Sequence, residues 1–222
     1  MDYLPAETVE YPGTGEVDAA VIWLHGLGAD GHDFPPIVPQ LLVERQLQIR
    51  YIFPHAPEIP VTINNGWRMR AWYDIQALNV DRHVDVAQLL ASARRVQDLV
   101  DRERERGIAS ERILIGGFSQ GGAVAFEAAL TYPAPLAGLF SLSSYLATAA
   151  TLQVAPVQSS LPILVCHGDS DGVVPEALGR RSVLALNELG LMATYHTYPM
   201  EHAVCPAEIL EIGRFISRTL TR

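Results

Sequence analysis

Residues 117–121 read Gly-Phe-Ser-Gln-Gly, and this stretch constrains the fold more than any other part of the chain. The apolar run Ile113–Ile115 before it predicts a buried strand, and the small-residue pattern Ala123–Leu130 after it predicts a helix. A serine at a sharp turn between a strand and a helix is typical of a nucleophile elbow, in which the flanking glycines leave room for a crowded backbone. We therefore expect Ser119 to present a reactive hydroxyl.

Short apolar runs alternate with helical patterns along the whole chain. The apolar runs are continuous, as is typical of parallel strands covered on both faces, and they lie at Ala19–Leu24, Ile49–Phe53, Ile113–Gly116, Gly138–Leu142, Pro162–Cys166 and Ala193–Tyr198. Further helical patterns lie at Phe34–Gln46 with Asp33 as its cap, Val84–Arg106, Pro175–Leu189 and Pro206–Leu220. This alternation predicts an α/β fold, with a mostly parallel sheet and helices on both faces.

No repeat, linker or compositional break divides the sequence, so we expect a single domain over residues 1–222. Two long segments, Pro54–Asp81 and Ser143–Leu161, predict irregular loops, and the second is too short for a folded helical cap. Long irregular loops in compact domains are often functional. The first of them contains an aromatic cluster formed by Trp67, Trp72 and Tyr73.

Composition excludes several classes of function. The net charge of −9 argues against a nucleic-acid or anionic membrane surface. All basic residues other than histidine are arginines, which excludes chemistry that needs a lysine Schiff base or a P-loop lysine. The first arginine is Arg45 and no apolar run approaches the length of a membrane span, so we expect neither a signal peptide nor stable membrane insertion. Cys166 and Cys205 predict reduced thiols in a cytoplasmic protein.

A serine nucleophile needs a base that takes its proton and a third group that orients the base. His202 follows the predicted last strand, and two acids, Asp169 and Asp171, follow the strand before it. Their order after Ser119 is the order found when a nucleophile elbow carries a triad. His167 competes with His202 as the base, but it precedes both acids and breaks that order.

A developing oxyanion needs two N–H donors held in place. The residue after the nucleophile, Gln120, supplies one from its backbone. The loop His25–Gly28 follows the first predicted strand, and it suits the second donor through the backbone N–H of Leu27.

These segments together resemble the bacterial carboxylesterases of the phospholipase/carboxylesterase family, which includes the acyl-protein thioesterases. The stretches that carry the resemblance are Val21–Asp30, Ala71–Ile75, Gly117–Ala123, His167–Asp171 with Val174–Pro175, and Tyr198–Met200 before His202.

The resemblance implies an α/β-hydrolase fold without a cap domain, with Ser119, His202 and Asp171 as the catalytic triad. It also implies an oxyanion hole made by Leu27 and Gln120, no cofactor and no metal, and it is compatible with a homodimer. The loop around Trp72 is then expected to line the acyl pocket.

The expected function is hydrolysis of short- to medium-chain acyl esters, with small-molecule esters as the partners of the site. The apolar surroundings of Trp72 and Val174 suggest this chain length. The residues after His202 are Ala203-Val204 where the animal thioesterases have serines, which favours small esters. Acyl-protein thioesterase or lysophospholipase activity is the alternative.

Two other hypotheses use the same fold differently. A metal-dependent enzyme would need ligands, and His25, Asp30, His32 and Asp33 crowd one loop, but their spacing matches no zinc site. An inactive hydrolase fold serving as a ligand receptor would usually lack part of the triad.

Overall fold

The computed structural model describes residues 3–12, 15–77 and 82–221. A seven-stranded sheet forms its centre, in the order β1-β3-β2-β8-β9-β10-β11. Every pairing in this sheet is parallel except that of β1 with β3. The strands are β1 (Ala6–Tyr11), β2 (Ala19–Leu24), β3 (Ile49–Pro54), β8 (Ile113–Phe118), β9 (Gly138–Leu142), β10 (Ile163–Gly168) and β11 (Ala193–Tyr198).

The predicted strands agree closely with the sheet. The ranges of β2, β9 and β11 match to the residue, β3 and β8 end one and two residues later than predicted, and β10 begins one residue later and ends two residues later. The antiparallel edge strand β1 was not predicted. Its residues alternate between half-buried and exposed, and such a pattern gives a weaker signal than the continuous apolar runs of the central strands.

Four α-helices flank the sheet: α1 (Val86–Glu105), α2 (Gln120–Leu130), α3 (Glu176–Glu188) and α4 (Pro206–Leu220). They cover both faces, because alternate residues of β2 belong to different cores. Ile22 and Leu24 pack in the core that contains residues of α1, α2 and α3. Val21 and Trp23 pack in the core that contains residues of α4. The expectation of helices on both faces is thus confirmed.

The helix predicted at Phe34–Gln46, with Asp33 as its cap, is wrong. The chain forms a 3₁₀ helix over Pro35–Leu41, without a side-chain cap, and Leu42 then takes a left-handed conformation with φ 50°. Prolines at positions 35, 36 and 39 explain the difference, because proline has no N–H to donate within a helix.

The segment predicted as the irregular loop Pro54–Asp81 contains two hairpins instead. Strands β4 (Glu58–Val61) and β5 (Trp67–Arg70) pair with each other, as do β6 (Ile75–Ala77) and β7 (His83–Val84). Residues 78–81 of the predicted loop lie outside the described residues. Ser143–Leu161 contains a short 3₁₀ helix, Pro156–Gln158. Among the described residues, no helix combines the length and the apolar character needed to cross a membrane.

Candidate active site

Ser119 occupies the turn between β8 and α2 with φ 54° and ψ −121°, a conformation that residues other than glycine rarely adopt. The flanking glycines make this turn sterically possible. A Cβ at Gly117 would lie 2.4 Å from the backbone of Gly121, and one at Gly121 would lie 2.5 Å from the carbonyl oxygen of His25. The turn therefore has the strained, closely packed form that the motif predicts.

Ser119, His202 and Asp171 form one chain of hydrogen bonds at the carboxyl edge of the sheet. The distance between Ser119 Oγ and His202 Nε2 is 2.9 Å, and that between His202 Nδ1 and Asp171 Oδ2 is 2.7 Å. Because a carboxylate only accepts, Nδ1–H donates to Asp171, and Nε2 is left to accept from the serine hydroxyl. The tertiary structure thus brings together three side chains that are 31 and 83 residues apart in sequence.

The loops that carry Asp171 and His202 are tied to each other. The backbone N–H of Asp169 donates to the carbonyl of Tyr198 at 2.9 Å, and that of Ser170 donates to the carbonyl of Met200 at 3.2 Å. A Cβ at Gly168 would lie 2.3 Å from the same Met200 oxygen, so only glycine lets the two loops approach so closely. These contacts fix the distance between the acid and the imidazole.

Asp171 is buried and is surrounded by N–H donors. Its Oδ1 accepts from the backbone N–H groups of Val173 at 2.9 Å and Val174 at 2.8 Å. Burial by itself raises the pKa of Asp171, but the hydrogen bonds from His202, Val174 and Val173 outweigh burial and hold that pKa below its ordinary value. Asp171 is therefore charged at neutral pH and able to orient His202.

Neither of the two alternative residues takes part in this chain of hydrogen bonds. Asp169 is exposed and accepts a hydrogen bond from the hydroxyl of the adjacent Ser170 at 2.8 Å. His167 is fully buried, donates from Nε2 to the carbonyl of Val174 at 2.8 Å, and has its pKa lowered by burial. His167 is thus a neutral ring that stabilises the loop of Asp171 through this hydrogen bond.

The loop His25–Gly28 is pinned by the buried ring of His25. Nε2 accepts from the backbone N–H of Ala56 at 3.0 Å, so the ring proton is on Nδ1, which donates to the carbonyl of Gly26 at 2.7 Å. Burial lowers the pKa of His25 to about 4, and the ring is neutral at physiological pH. This histidine is a structural support of the loop.

Two backbone N–H groups next to Ser119 are available to a ligand. Gln120 is the first residue of α2, so its N–H has no acceptor within the helix. On the other loop, Gly28 donates to Arg70 at 2.9 Å and Ala29 to Gly26 at 3.3 Å. Among the described residues, no acceptor is found for the N–H of Leu27, which precedes them. Leu27 and Gln120 both line the cavity beside the serine.

A cavity of about 240 Å³ opens beside Ser119 and His202. Its lining is mostly apolar and comes from six separate parts of the chain. The apolar and aromatic side chains are Leu27, Ala29, Ile63, Tyr73, Ile75, Phe118, Tyr145, Val173 and Val174, and the polar ones besides Ser119 and His202 are Asp33, Arg82 and Gln120. Such a lining suits an acyl chain.

Val174 lines this cavity, whereas Trp72 does not. Trp72 is 1% exposed and lies behind the wall, where its indole N–H donates to the carbonyl of His25 at 2.9 Å. The next residue, Tyr73, forms the wall in its place. The family resemblance implied that the loop around Trp72 lines the acyl pocket, but the sequence does not show which aromatic side chain of that loop faces inward. The observed role of Trp72 is to hold the loop that carries Leu27.

The side chain of Gln120 has a structural role that sequence reasoning missed. Its Oε1 accepts from the backbone N–H of Trp72 at 2.9 Å, and its Nε2 donates to the carbonyl of Tyr73 at 2.7 Å. The residue after the nucleophile thus anchors the wall of the cavity. The sequence shows a long amide side chain next to Ser119, but the residues that it contacts lie 47 and 48 positions away. The sequence alone therefore does not reveal this role.

Comparison with known proteins agrees with this architecture. The model of the phospholipase/carboxylesterase family matches residues 6–220. Acyl-protein thioesterase 1 of Neurospora crassa is 39% identical over 222 residues, which covers 95% of this chain and 91% of that protein. The namesake in Gibberella zeae is 35% identical, covering 95% and 94%. The crystal structure of Arabidopsis thaliana SOBER1 superposes with a TM-score of 0.85 at 31% identity, covering 91% of this chain and 99% of that one.

These relatives come from two fungi and a plant, so the resemblance is not confined to bacterial carboxylesterases. Two of them carry the name acyl-protein thioesterase. The family model spans nearly all of the chain. The chain therefore belongs to the phospholipase/carboxylesterase family, has the α/β-hydrolase fold, and is a serine hydrolase of the carboxylesterase type.

Proposed function

We propose that the protein cleaves short- to medium-chain acyl esters through an acyl-enzyme on Ser119. The observation that carries this proposal is the continuous hydrogen-bond chain from Ser119 Oγ through His202 to Asp171, at 2.9 Å and 2.7 Å. A serine hydroxyl is a weak nucleophile by itself, and this arrangement supplies both the base and the group that orients it.

In the first step, Ser119 Oγ attacks the carbonyl carbon of the ester while His202 Nε2 takes the hydroxyl proton. Asp171 stabilises the imidazolium that forms. The tetrahedral intermediate collapses when the C–O bond to the alcohol breaks and His202 returns the proton to the leaving oxygen. The products of this step are a free alcohol and an acyl group on Ser119.

The oxyanion of the intermediate accepts hydrogen bonds from the backbone N–H groups of Leu27 and Gln120. Loss of one such donor reduces transition-state stabilisation by about 3–4 kcal/mol in serine hydrolases. In the second step, His202 activates a water molecule that attacks the acyl-enzyme, and the same two donors stabilise the second intermediate. The carboxylic acid then leaves and Ser119 regains its proton.

The size of the cavity supports the acyl-length preference. About 240 Å³ is smaller than the roughly 300–1,000 Å³ of pockets that enclose drug-sized ligands. Ile75, Tyr73 and Val174 provide apolar contacts along its wall, and each buried methylene of a substrate contributes about 0.8 kcal/mol until the cavity is full. A short or medium acyl chain uses this space best.

Hydrolysis of acyl thioesters is the second candidate function. It is favoured by the identity of 39% to a protein named acyl-protein thioesterase 1. The mechanism changes little, because His202 then protonates a thiolate leaving group. Esters and thioesters of the same acid differ only in the leaving group. The solvent-facing side of the cavity restricts the leaving group less than the apolar wall restricts the acyl chain.

The variant Ser119→Ala tests the mechanism. We expect folded protein without a burst and without turnover of a p-nitrophenyl ester, and without covalent labelling by a fluorophosphonate probe. Ser170→Ala is the matched control, because Ser170 is an exposed serine on the loop next to Asp171, and it should keep both activities. Turnover by Ser119→Ala at the rate of the control would contradict the proposal.

Profiles of kcat/KM against acyl length, measured for p-nitrophenyl esters and for acyl thioesters of the same acids, test the substrate class. We expect kcat/KM to rise about fourfold per methylene for short chains and then to level off. A continued rise to long chains would contradict the preference for short and medium acyl groups. A consistently higher kcat/KM for thioesters would favour the second function.

A further inference from the structure

We infer that Ser144 is a positioning residue for the oxyanion hole, because its hydroxyl fixes the direction of the backbone N–H of Gln120. Ser144 Oγ donates to the carbonyl oxygen of Ser119 at 2.6 Å. That carbonyl and the N–H of Gln120 belong to the same peptide group. The inference rests on the proposed function, in which the N–H of Gln120 stabilises the oxyanion, and it gives a role to a serine outside the triad.

The geometry of the peptide group carries the effect from Ser144 to Gln120. A peptide group is planar, and in the trans form its C=O and N–H point in opposite directions. Among the described residues the one cis peptide bond is Tyr11–Pro12, so the Ser119–Gln120 bond is trans. A hydrogen bond that holds the carbonyl oxygen on one side therefore also fixes the N–H on the other. Gln120 lines the cavity, where a substrate oxyanion would accept from that N–H.

The carbonyl of Ser119 needs this support because the elbow removes it from regular helix geometry. Ser119 precedes α2 with ψ −121°, far from the helical value of about −42°. The N–H of Ala123, which would normally make the first helical hydrogen bond, lies 3.4 Å from this oxygen, and that of Gly122 lies 3.0 Å from it. The hydroxyl of Ser144 is the closest of the three donors.

The segment after β9 holds both backbone polar groups of the nucleophile. The N–H of Ser119 donates to the carbonyl of Leu142 at 2.9 Å, and its carbonyl accepts from Ser144 two residues further on. Between them, Ser143 takes a left-handed conformation with φ 45°, and its N–H donates to the carbonyl of Cys166 at 2.8 Å. The support for Ser119 is therefore fastened to both β9 and β10.

Gly122 provides the space that Ser144 occupies. A Cβ at Gly122 would lie 2.6 Å from Ser144 Cβ and 2.7 Å from Ser144 Oγ. Ser144 is 1% exposed, so its hydroxyl is directed to the carbonyl of Ser119 and not to solvent. Gly117 and Gly121 make the turn itself possible, whereas Gly122 makes room for the residue that supports it.

The hydrogen bond from Ser144 also strengthens the donor. Hydrogen bonds in a chain polarise one another, so an amide whose oxygen accepts a hydrogen bond donates more strongly from its N–H. The negative charge on the substrate oxygen develops only in the transition state. A better aligned and stronger donor therefore favours the transition state over the bound ester, and its loss should appear in kcat more than in KM.

Ser144→Ala tests the inference with a p-nitrophenyl ester. We expect kcat to fall about tenfold to hundredfold, less than for complete loss of a donor because the N–H of Gln120 remains, and KM to change less than about twofold. A trifluoromethyl ketone forms a hemiketal whose oxyanion occupies the same hole, so its Ki should rise by the factor by which kcat/KM falls. Ser144→Cys fits the same space and keeps a weak donor, so its kcat should lie between those of the wild type and Ser144→Ala.

Ser141→Ala is the matched control. Ser141 is a buried serine of β9 whose hydroxyl has no hydrogen-bond partner among the described residues, and its removal should leave kcat and the Ki of the ketone unchanged. Unchanged kcat in Ser144→Ala, a loss confined to KM with the Ki unchanged, or an equal loss in Ser141→Ala would overturn the inference. Failure of the proposed function is a separate result, because it would appear as turnover by Ser119→Ala.

Discussion

Asp171 and Glu208 are both buried carboxyl groups, 6% and 0% exposed, but their surroundings favour opposite charge states. Asp171 accepts hydrogen bonds from His202, Val173 and Val174, and its pKa lies below the ordinary value despite burial. Neither carboxyl oxygen of Glu208 has a hydrogen-bond partner among the described residues. Burial raises the pKa of Glu208 to about 8, and the nearby backbone N–H of Cys205 offsets this only slightly.

The difference shows that burial alone does not make a carboxylate functional. In a low-dielectric interior the charged form is disfavoured unless N–H donors replace water. Asp171 has such donors because the loop after β10 turns its backbone toward the carboxylate. Glu208 lies at the start of α4 near Cys166, Tyr198 and Cys205, and of these only the backbone N–H of Cys205 offsets the lost water, and not enough to keep the carboxyl group charged. Near neutral pH, Asp171 is therefore charged and Glu208 is mostly neutral, although both are buried.

Among the substitutions that test this comparison, Asp171→Asn should have the largest effect, and its effect is on kcat. The amide fits the same space but can donate to His202 Nδ1, which favours the tautomer with a proton on Nε2, and we expect kcat to fall about 10⁴-fold. Hydrolysis of a p-nitrophenyl ester measures the loss. The exposed neighbour provides the control, because Asp169→Asn should leave kcat unchanged. Similar rates for the two variants would mean that Asp171 does not orient the base.

Glu208→Gln should reveal the second carboxyl group through pH. The unfolded chain ionises this side chain above about pH 4.5 while the folded protein keeps it neutral up to about pH 8. The wild type should therefore lose stability relative to the variant as pH rises, by about 3 kcal/mol of unfolding free energy between about pH 5 and about pH 7.5. Urea denaturation of both proteins across this range measures the difference. Parallel curves would show that Glu208 is not neutral in the folded state.

Gln120→Met should have a smaller effect and extends the comparison to a buried group whose hydrogen bonds are complete. The variant leaves the backbone N–H of Trp72 and the carbonyl of Tyr73 without partners, at about 1–3 kcal/mol each when buried. We expect the unfolding free energy to fall by about 2 kcal/mol, the low end of this range. Because the backbone donor of residue 120 remains, kcat should change less than KM for the longest acyl chain that the cavity accepts. An unchanged unfolding free energy would show that the two hydrogen bonds contribute little.

The parts of the fold that could be predicted from sequence are those with local causes. β2, β9 and β11 match their predicted bounds, because a fully buried parallel strand must be apolar at every position. The failures also have physical causes. The prolines before Leu41 prevented an α-helix. The hairpin of β4 and β5 was missed although Asn65 and Gly66 supply the positive φ angles of its turn, 56° and 73°.

In the candidate active site, the proposed triad was easier to predict from the sequence than the residues that line the cavity. Ser119, Asp171 and His202 each follow a strand that the sequence predicts, and parallel strands bring their carboxyl ends to one edge. Trp72 and Tyr73 are adjacent aromatic residues, yet only Tyr73 lines the cavity. Which of them faces inward depends on the hydrogen bonds from Gln120 and to the carbonyl of His25. The catalytic roles of the triad and of the two backbone donors stay predictions that the variants above test.

The sequence by itself determined that Ser119, Asp171 and His202 each follow a strand, in that order along the chain. It also determined the elbow at Ser119 and the family to which the chain is similar. These features depend on residues that are close in the chain, where backbone sterics and apolar periodicity act directly. Only the tertiary structure decided the charge states of Asp171 and Glu208 and which aromatic side chain forms the wall of the cavity. Each of these depends on which distant side chains and N–H groups replace water around a buried or crowded polar atom, and no local pattern encodes that.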